Sequence, residues 1–109
     1  GKFSSTTIGD GTKIDNLVQI GHNCKIGRAC LIAGSCGISG SVTIGDGVIM
    51  AGQVAVKDHV TIGNGVTIGG KSGIINDIPD GKTILGFPAV EAKETLKQWA
   101  IIRRLAKKG

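Results

Sequence analysis

Aliphatic residues recur at every sixth position over most of the chain. From Ile8, steps of six reach Ile, Val or Met at twelve successive positions, the last of which is Ile74. The residue two places earlier is small or β-branched in every repeat: Thr6, Thr12, Val18, Cys24, Cys30, Cys36, Val42, Val48, Val54, Val60, Val66 and Ser72. Alternate side chains of an extended segment point the same way, so both columns face one interior. The pattern predicts short strands, each with two inward positions.

The residues between these strands predict sharp corners. They are rich in Gly, Asn and Asp, which tolerate the positive φ that a tight turn requires. Three strands and three corners close a coil of about eighteen residues, and successive coils stack about 4.8 Å apart. We therefore predict an all-β solenoid over residues 1–75, a parallel β-helix of hexapeptide repeats with about four coils. In proteins with this repeat the coil is left-handed.

The pattern changes after Ile74. The stretch "NDIPDGKTILGFPAV" contains both prolines and breaks the register, so residues 76–88 are predicted to be an exit loop. Residues 89–109 are predicted to form a basic amphipathic helix. Its apolar stripe, at spacings of three and four, consists of Ala92, Leu96, Trp99, Ile102 and Leu105. Acidic residues near its start and basic residues near its end match the helix dipole.

Composition agrees with a narrow aliphatic interior. The 109 residues include 19 glycines, only three aromatic side chains and no tyrosine. Of the 13 Lys and Arg residues, six lie from Lys93 onward, and the formal net charge is +5. Such a tail could serve a nucleic acid, an acidic membrane surface or an acidic protein, and charge alone does not choose among them. No apolar run approaches the roughly 20 residues that span a bilayer.

Two apparent motifs are interpreted as structural. The segment "GVTIGGKS" fits a phosphate-binding loop pattern, but its Val66 and Ile68 belong to the inward columns and no helix follows. Cys24, Cys30 and Cys36 occupy one column at a spacing of six, where other repeats have Val. That spacing differs from the two to four residues typical of zinc ligands, so we predict small buried side chains in a reducing compartment.

The chain has two histidines, and the coil period places them at one corner. His59 follows His22 by two coils plus one residue, and Gly40 follows His22 by one coil. A base, a backbone N–H and a second polar contact in successive layers suit a catalytic site. An incidental pair of solvent-exposed turn histidines is the simpler alternative. Zinc needs three or four protein ligands, so no metal site is predicted.

The segment "KIDNLVQIGHN", residues 13–23, resembles the catalytic segment of the UDP-3-O-(3-hydroxyacyl)glucosamine N-acyltransferases of lipid A biosynthesis. The segments "GQVAVKDHVTIG", "GFPAV" and "LKQWAIIRRL" are similar to the last repeats, exit loop and C-terminal helix of the same family. The resemblance implies transfer of a 3-hydroxyacyl chain from acyl carrier protein to the 2-amine of UDP-3-O-acylglucosamine. Members carry an N-terminal uridine-binding domain that this chain does not include, so little turnover is expected from the chain alone.

The resemblance also implies the roles of individual residues. His22 matches the general base, and Gly40 matches the residue whose backbone N–H stabilises the oxyanion. His59 matches a second active-site histidine that contacts substrate. Three further residues lie in or beside the motif and are candidates for lining the cleft or orienting the base: Asp15, Gln19 and Asn23. Asp15 lies one corner away, so it would reach His22 only across a subunit interface.

Partners follow from the same resemblance. It implies a cytoplasmic homotrimer with active sites between neighbouring solenoids, with no nucleic acid bound and no stable membrane insertion. No separate cofactor is expected, because the donor carries its own phosphopantetheine thioester on acyl carrier protein. That protein is acidic, so the basic residues at the end of the chain are candidates for docking it: Arg103, Arg104, Lys107 and Lys108. Helix-dipole matching and solubility explain the same residues equally well.

Two other functions stay open at this point. One is another hexapeptide acyltransferase, such as the O-acyltransferase that acts on UDP-N-acetylglucosamine. Its segment typically reads His-Asp, whereas His22 is followed by Asn23 here. The other is a non-catalytic module that only trimerises, which would be favoured if His22 faced open solvent away from any groove.

Overall fold

The computed structural model describes residues 5–108 as fourteen short strands followed by one helix. Residues 1–4 of the predicted solenoid and Gly109 of the predicted helix lie outside the described residues. The strands of the repeat are β1 Thr7–Ile8, β2 Lys13–Ile14, β3 Gln19–Ile20, β4 Lys25–Ile26, β5 Leu31–Ile32, β6 Gly37–Ile38, β7 Thr43–Ile44, β8 Ile49–Met50, β9 Ala55–Val56, β10 Thr61–Ile62, β11 Thr67–Ile68 and β12 Gly73–Ile74. Beyond the repeat lie β13 Thr83–Leu85, β14 Val90–Glu91 and the helix α1 Ala92–Lys108.

Each strand from β1 to β9 pairs in parallel with the strand one coil further along. Lys25 pairs with Thr43, for example, and Gln19 with Gly37. This pairing forms three sheets, with the orders β1-β4-β7-β10, β14-β13-β11-β8-β5-β2 and β12-β9-β6-β3. The predicted parallel solenoid of about four coils is therefore confirmed, with the predicted period of eighteen residues.

Both predicted columns line the interior from Cys24 onward, whereas Ile8 in the first coil is 48% exposed. From Cys24 to Ile74 the inward Ile, Val, Met and Cys side chains are at most 4% exposed. The three cysteines are buried free thiols, as predicted, and each Sγ donates a hydrogen bond at 3.1 Å to a backbone carbonyl one coil further on. Burial raises the pKa of the Cys36 thiol. The core is one stack of thin layers filled by small aliphatic side chains, so it is closely packed without aromatic side chains.

The segment after β12 was predicted to be an exit loop, but part of it continues the solenoid. Ile78 forms a parallel bridge with Ile62, β13 pairs in parallel with β11, and Ile78 and Ile84 join the core. These two residues are six apart, like earlier repeats, but each lies only sixteen residues beyond its partner. The corner at residues 75–77 is shorter by two residues. This shift hides the layer from a strict search in steps of six.

The chain then reverses before the helix begins. Strand β14 pairs antiparallel with β13, so α1 starts at Ala92, three residues later than predicted. Thr95 is the buried residue of α1, and its Oγ1 donates to the carbonyl of Leu85 at 2.7 Å. The predicted apolar stripe is largely uncovered: Leu96, Trp99, Ile102 and Leu105 are 43–63% exposed. No helix within residues 5–108 has the length and apolarity that crossing a bilayer requires.

Candidate active site

The corner between the third and first sheets carries both histidines, and we call it the histidine corner. Its three layers are residues 21–24, 39–42 and 57–60. The N–H of Ser41 donates to the carbonyl of His22 at 2.8 Å, and the N–H of His59 donates to the carbonyl of Gly40 at 3.1 Å. The structure thus brings His22, Gly40 and His59 together in successive layers of one corner.

Two columns run up the histidine corner. One consists of His22, Gly40 and Asp58, and the next consists of Asn23, Ser41 and His59. The second column has positive φ throughout, with values of 64°, 61° and 62°. Neighbouring coils therefore turn in the same way at this corner. Four of the six candidate site residues therefore lie at this corner, and Gln19 lies on the adjoining strand β3.

Gly40 presents an open backbone N–H beside His22. It donates to no acceptor among residues 5–108, although the N–H of Ser39 is bonded to the next coil and the N–H of Ser41 to the previous one. A Cβ at Gly40 would lie 3.4 Å from the carbonyl oxygen of His22, which shows how closely the two layers approach. An unpaired backbone N–H one layer from a histidine is a group that can stabilise an anion formed between the two layers.

A shallow groove of about 590 Å³ runs along the third sheet and ends at Gly21, the residue before His22, whereas the exposed His22 is not among its lining residues. Its floor is the outward column of that sheet, which is Gln19, Gly37 and Ala55, and Ser39 and Gly21 form its edge at the histidine corner. The column continues to Gly73, where the ring of Phe87 packs so closely that a Cβ at Gly73 would overlap it. A hollow of about 220 Å³ joins the groove to Phe87.

Several groove residues were not anticipated from the sequence. None of these residues carries a catalytic group. Gly37 and Ala55 form the groove because they are small, and the ring of Phe87 lies at its end. The signal was present, because the outward residues of the other two sheets are larger: Thr7, Lys25, Thr43 and Thr61 in the first, and Lys13, Leu31, Ile49 and Thr67 in the second.

Asp15 lies away from the histidine corner. Its Oδ1 accepts the N–H of Asn16 at 2.7 Å, and the residue lines a separate hollow on the second sheet with Leu31 and Ile49. The ion pairs formed within residues 5–108 do not include His22. Asp15 therefore does not orient His22 within its own chain.

The basic residues at the end of the chain lie far along α1. The helix packs on β13 and β14 only, and Arg103, Arg104, Lys107 and Lys108 are exposed. None of them reaches the histidine corner of its own chain. Within the described part of the chain, no three His, Cys, Asp or Glu side chains are arranged to hold a metal ion.

Stacked hexapeptide coils with a groove beside one corner define the chain as a hexapeptide-repeat protein. The family described as bacterial transferase hexapeptide (six repeats) matches residues 5–40. Serine acetyltransferase of Neisseria gonorrhoeae has the same fold, with a TM-score of 0.77 and 24% identity over 80% of this chain and 38% of that one. A UDP-N-acetylglucosamine acyltransferase of Campylobacter jejuni also has this fold, with a TM-score of 0.64 and 21% identity over 81% of this chain and 45% of that one.

In sequence, the chain is similar to proteins named UDP-3-O-acylglucosamine N-acyltransferase. It is 59% identical over 104 residues to one from Francisella tularensis subsp. holarctica, which covers 95% of this chain and 30% of the relative. It is 43% identical over 107 residues to the Wolinella succinogenes protein, covering 98% and 34%. The chain thus spans about a third of the length of the curated relatives it matches, and the resemblance inferred from its motifs is confirmed.

Proposed function

We propose that this chain carries the acyl-transfer site of an enzyme that acylates the 2-amine of UDP-3-O-acylglucosamine in lipid A biosynthesis. The donor is a 3-hydroxyacyl thioester of acyl carrier protein. The observation that supports the proposal best is that Gly40, whose N–H is open, lies one coil above His22 at the corner where a groove ends. The similarity to N-acyltransferases over nearly the whole chain supports the reaction type.

In the proposed reaction, the substrate amine attacks the carbonyl carbon of the thioester. His22 accepts the proton that the amine loses as the new C–N bond forms. The carbonyl oxygen becomes an oxyanion and takes a hydrogen bond from the N–H of Gly40. When the C–S bond breaks, the proton passes from His22 to the departing thiolate. The products are the amide and the free thiol of the carrier, and His22 returns to its neutral form.

The groove is proposed to hold the acyl chain of the donor. Its floor of Gly37 and Ala55 offers apolar surface without side chains that would obstruct a methylene chain. Gln19 lies at the groove head, where its amide can bond a hydroxyl of the substrate. Asn23 and His59 are proposed contacts of the acceptor sugar at the histidine corner. Asp15 is assigned to a neighbouring subunit's cleft, because it lies away from His22 in its own chain.

The proposed assembly is a cytoplasmic homotrimer that binds acyl carrier protein. The exposed basic end of α1, Arg103, Arg104, Lys107 and Lys108, complements the acidic carrier and would steer its approach. The phosphopantetheine arm arrives with the donor, so the reaction uses no separate cofactor and no metal. The likeness to the Campylobacter jejuni structure is one of fold alone, so a UDP-N-acetylglucosamine O-acyltransferase gains no specific support. The exposure of His22, which lines no groove of its own chain, is the arrangement expected of a purely trimerising module, whereas the similarity to N-acyltransferases over nearly the whole chain favours a catalytic role.

The test is an acyl-transfer assay on a full-length protein that carries this chain, since the chain spans a third of its relatives' length. Removing the base by His22→Ala should lower kcat at least about 100-fold. Thr43→Ala is the matched control, because Thr43 is an exposed residue on the first sheet, away from the groove. If His22→Ala is as fast as the unmodified protein, His22 is not part of the mechanism. If the unmodified protein N-acylates no UDP-glucosamine acceptor, the proposed function is refuted.

A further inference from the structure

A ladder of side chains closes the backbone at another corner of the solenoid, which we call the Asx corner. There the N–H of Arg28 donates to Oδ1 of Asp46 at 2.8 Å, and the N–H of Asp46 donates to Oδ1 of Asn64 at 2.8 Å. The N–H of Asn64 donates in turn to Oδ1 of Asp80 at 2.7 Å. In every step, an Asp or Asn one coil further on accepts the N–H of the residue below.

The histidine corner has the same backbone but lacks this ladder. Asp58 lies one coil above Gly40, as Asp46 lies above Arg28. The turn residues that follow Asp46 and Asp58 have nearly equal φ values, 68° at Gly47 and 62° at His59. An Asp in this place would be expected to accept the N–H of Gly40.

Instead, the Asp58 carboxylate lies near the side chains of its two neighbours in the chain. Its Oδ1 lies 3.7 Å from Nζ of Lys57, and its Oδ2 lies 3.7 Å from Nε2 of His59. Both carboxylate oxygens therefore face cationic or polar neighbours. The N–H of Gly40 has no acceptor among residues 5–108.

We propose that Lys57 and His59 hold the Asp58 carboxylate away from Gly40 and so keep the oxyanion donor open. This inference rests on the proposed function, in which the Gly40 N–H binds the oxyanion. Without the Lys57 charge, Asp58 turns to the position that Asp46 takes at the Asx corner and occupies the N–H. It then blocks the donor and places a negative charge where the oxyanion must form. Lys57 is a positioning residue, because it acts on the reaction by keeping Asp58 away from Gly40.

The effect should appear in the rate and not in stability. Lys57, Asp58 and His59 are more than half exposed, and ion pairs between exposed side chains contribute little to folding. Loss of one oxyanion donor lowers kcat by about 100- to 1,000-fold. Because a freed Asp58 would occupy the N–H for only part of the time, we expect Lys57→Met to lower kcat about tenfold with little change in KM.

A double-mutant cycle in the full-length protein tests the proposal. Lys57→Met should be slow, Asp58→Ala should match the unmodified protein, and the double variant should recover its kcat. Lys25→Met is the matched control, since it removes one exposed lysine from the first sheet. If Lys57→Met is as fast as the control, or if the double variant stays slow, the proposal is wrong while acyl transfer itself stands.

Hydrogen exchange of the Gly40 amide gives a readout that does not depend on turnover. The amide should exchange rapidly in the unmodified protein, at least about tenfold more slowly in Lys57→Met, and rapidly again in the double variant. Equal exchange in all three proteins would overturn the role of Asp58. A protein that shows this exchange pattern but no acyl transfer would instead refute the proposed function.

Discussion

Gly21 is a position beside the candidate site where a single methyl group would collide with the next coil. A Cβ added at Gly21 would lie 2.6 Å from the backbone N of Gly40 and 2.8 Å from its Cα, whereas ordinary contacts begin at 3.4 Å. The obstacle is backbone on the next coil, so no rotamer change relieves it. Gly21→Ala must separate two layers by roughly 0.8 Å at one corner, and overpacking of this kind costs about 1–3 kcal/mol.

The separation would weaken the coil contacts around the site. The N–H of Gly21 donates to the carbonyl of Ile38 at 2.7 Å, and the N–H of Ser39 donates to Val56 at 3.1 Å. If opening of these bonds becomes easier by about 1–3 kcal/mol, their amides should exchange about 5- to 150-fold faster, as measured by residue-level hydrogen exchange. Acyl transfer should fall as well, because Gly40 moves relative to His22.

Gly37→Ala is the control for this substitution. A Cβ at Gly37 meets nothing within 4 Å, and its φ is not positive, so the same change of Gly to Ala should be neutral or slightly stabilising. If Gly21→Ala exchanges no faster than Gly37→Ala, the layers at this corner are not in tight contact, and the reasoning is refuted.

Three further outcomes follow from the packing. Phe87→Ala opens the end of the groove, so the preference for longer acyl donors, measured as a ratio of kcat/KM values, should rise about tenfold; an unchanged preference would mean that the ring does not limit the groove. Thr95→Val leaves the Leu85 carbonyl without its donor and should weaken the docking of α1 by about 1–3 kcal/mol, seen as faster exchange in β13, whereas exposed Thr83→Val should not. Burial raises the pKa of the Cys36 thiol, which disfavours the reactive thiolate, so alkylation at pH 8 should be at least about 100-fold slower in the folded protein than in urea; equal rates would show that the thiol is accessible.

The fold could be predicted because each hexapeptide repeats the same two inward positions. The two inward columns are buried from Cys24 to Ile74 as expected, since a period of six with two inward positions in each repeat leaves no other way to cover so many aliphatic side chains. The layer at Ile78 and Ile84 escaped prediction because the preceding corner is shorter by two residues. A search for aliphatic pairs six apart, without a fixed phase, would have found it.

The site was predicted in part, for a related reason. The coil period converts sequence separation into layers, so the meeting of His22 with Gly40 and His59 followed from counting. The groove could not be predicted in this way, because it is formed by the small size of Gly37 and Ala55. A small outward residue also occurs at positions that bind nothing. The pairing of Asp58 with Lys57 was not predicted, because the repeat gives each residue a layer but does not give its side chain a direction.

The Asx corner and the histidine corner differ in whether side chains satisfy the backbone N–H groups. At the Asx corner, Asp46 and Asn64 accept the N–H groups of the layer below, so the ladder satisfies the backbone. At the histidine corner, Gly40 has no side chain to accept the N–H of His22, and its own N–H has no acceptor among the described residues. Both groups lie at a surface that water can reach, so leaving them open costs far less than it would in the core. A corner is therefore the place in this fold where backbone donors can be left free for a reacting oxygen, while the inward columns keep every layer in register.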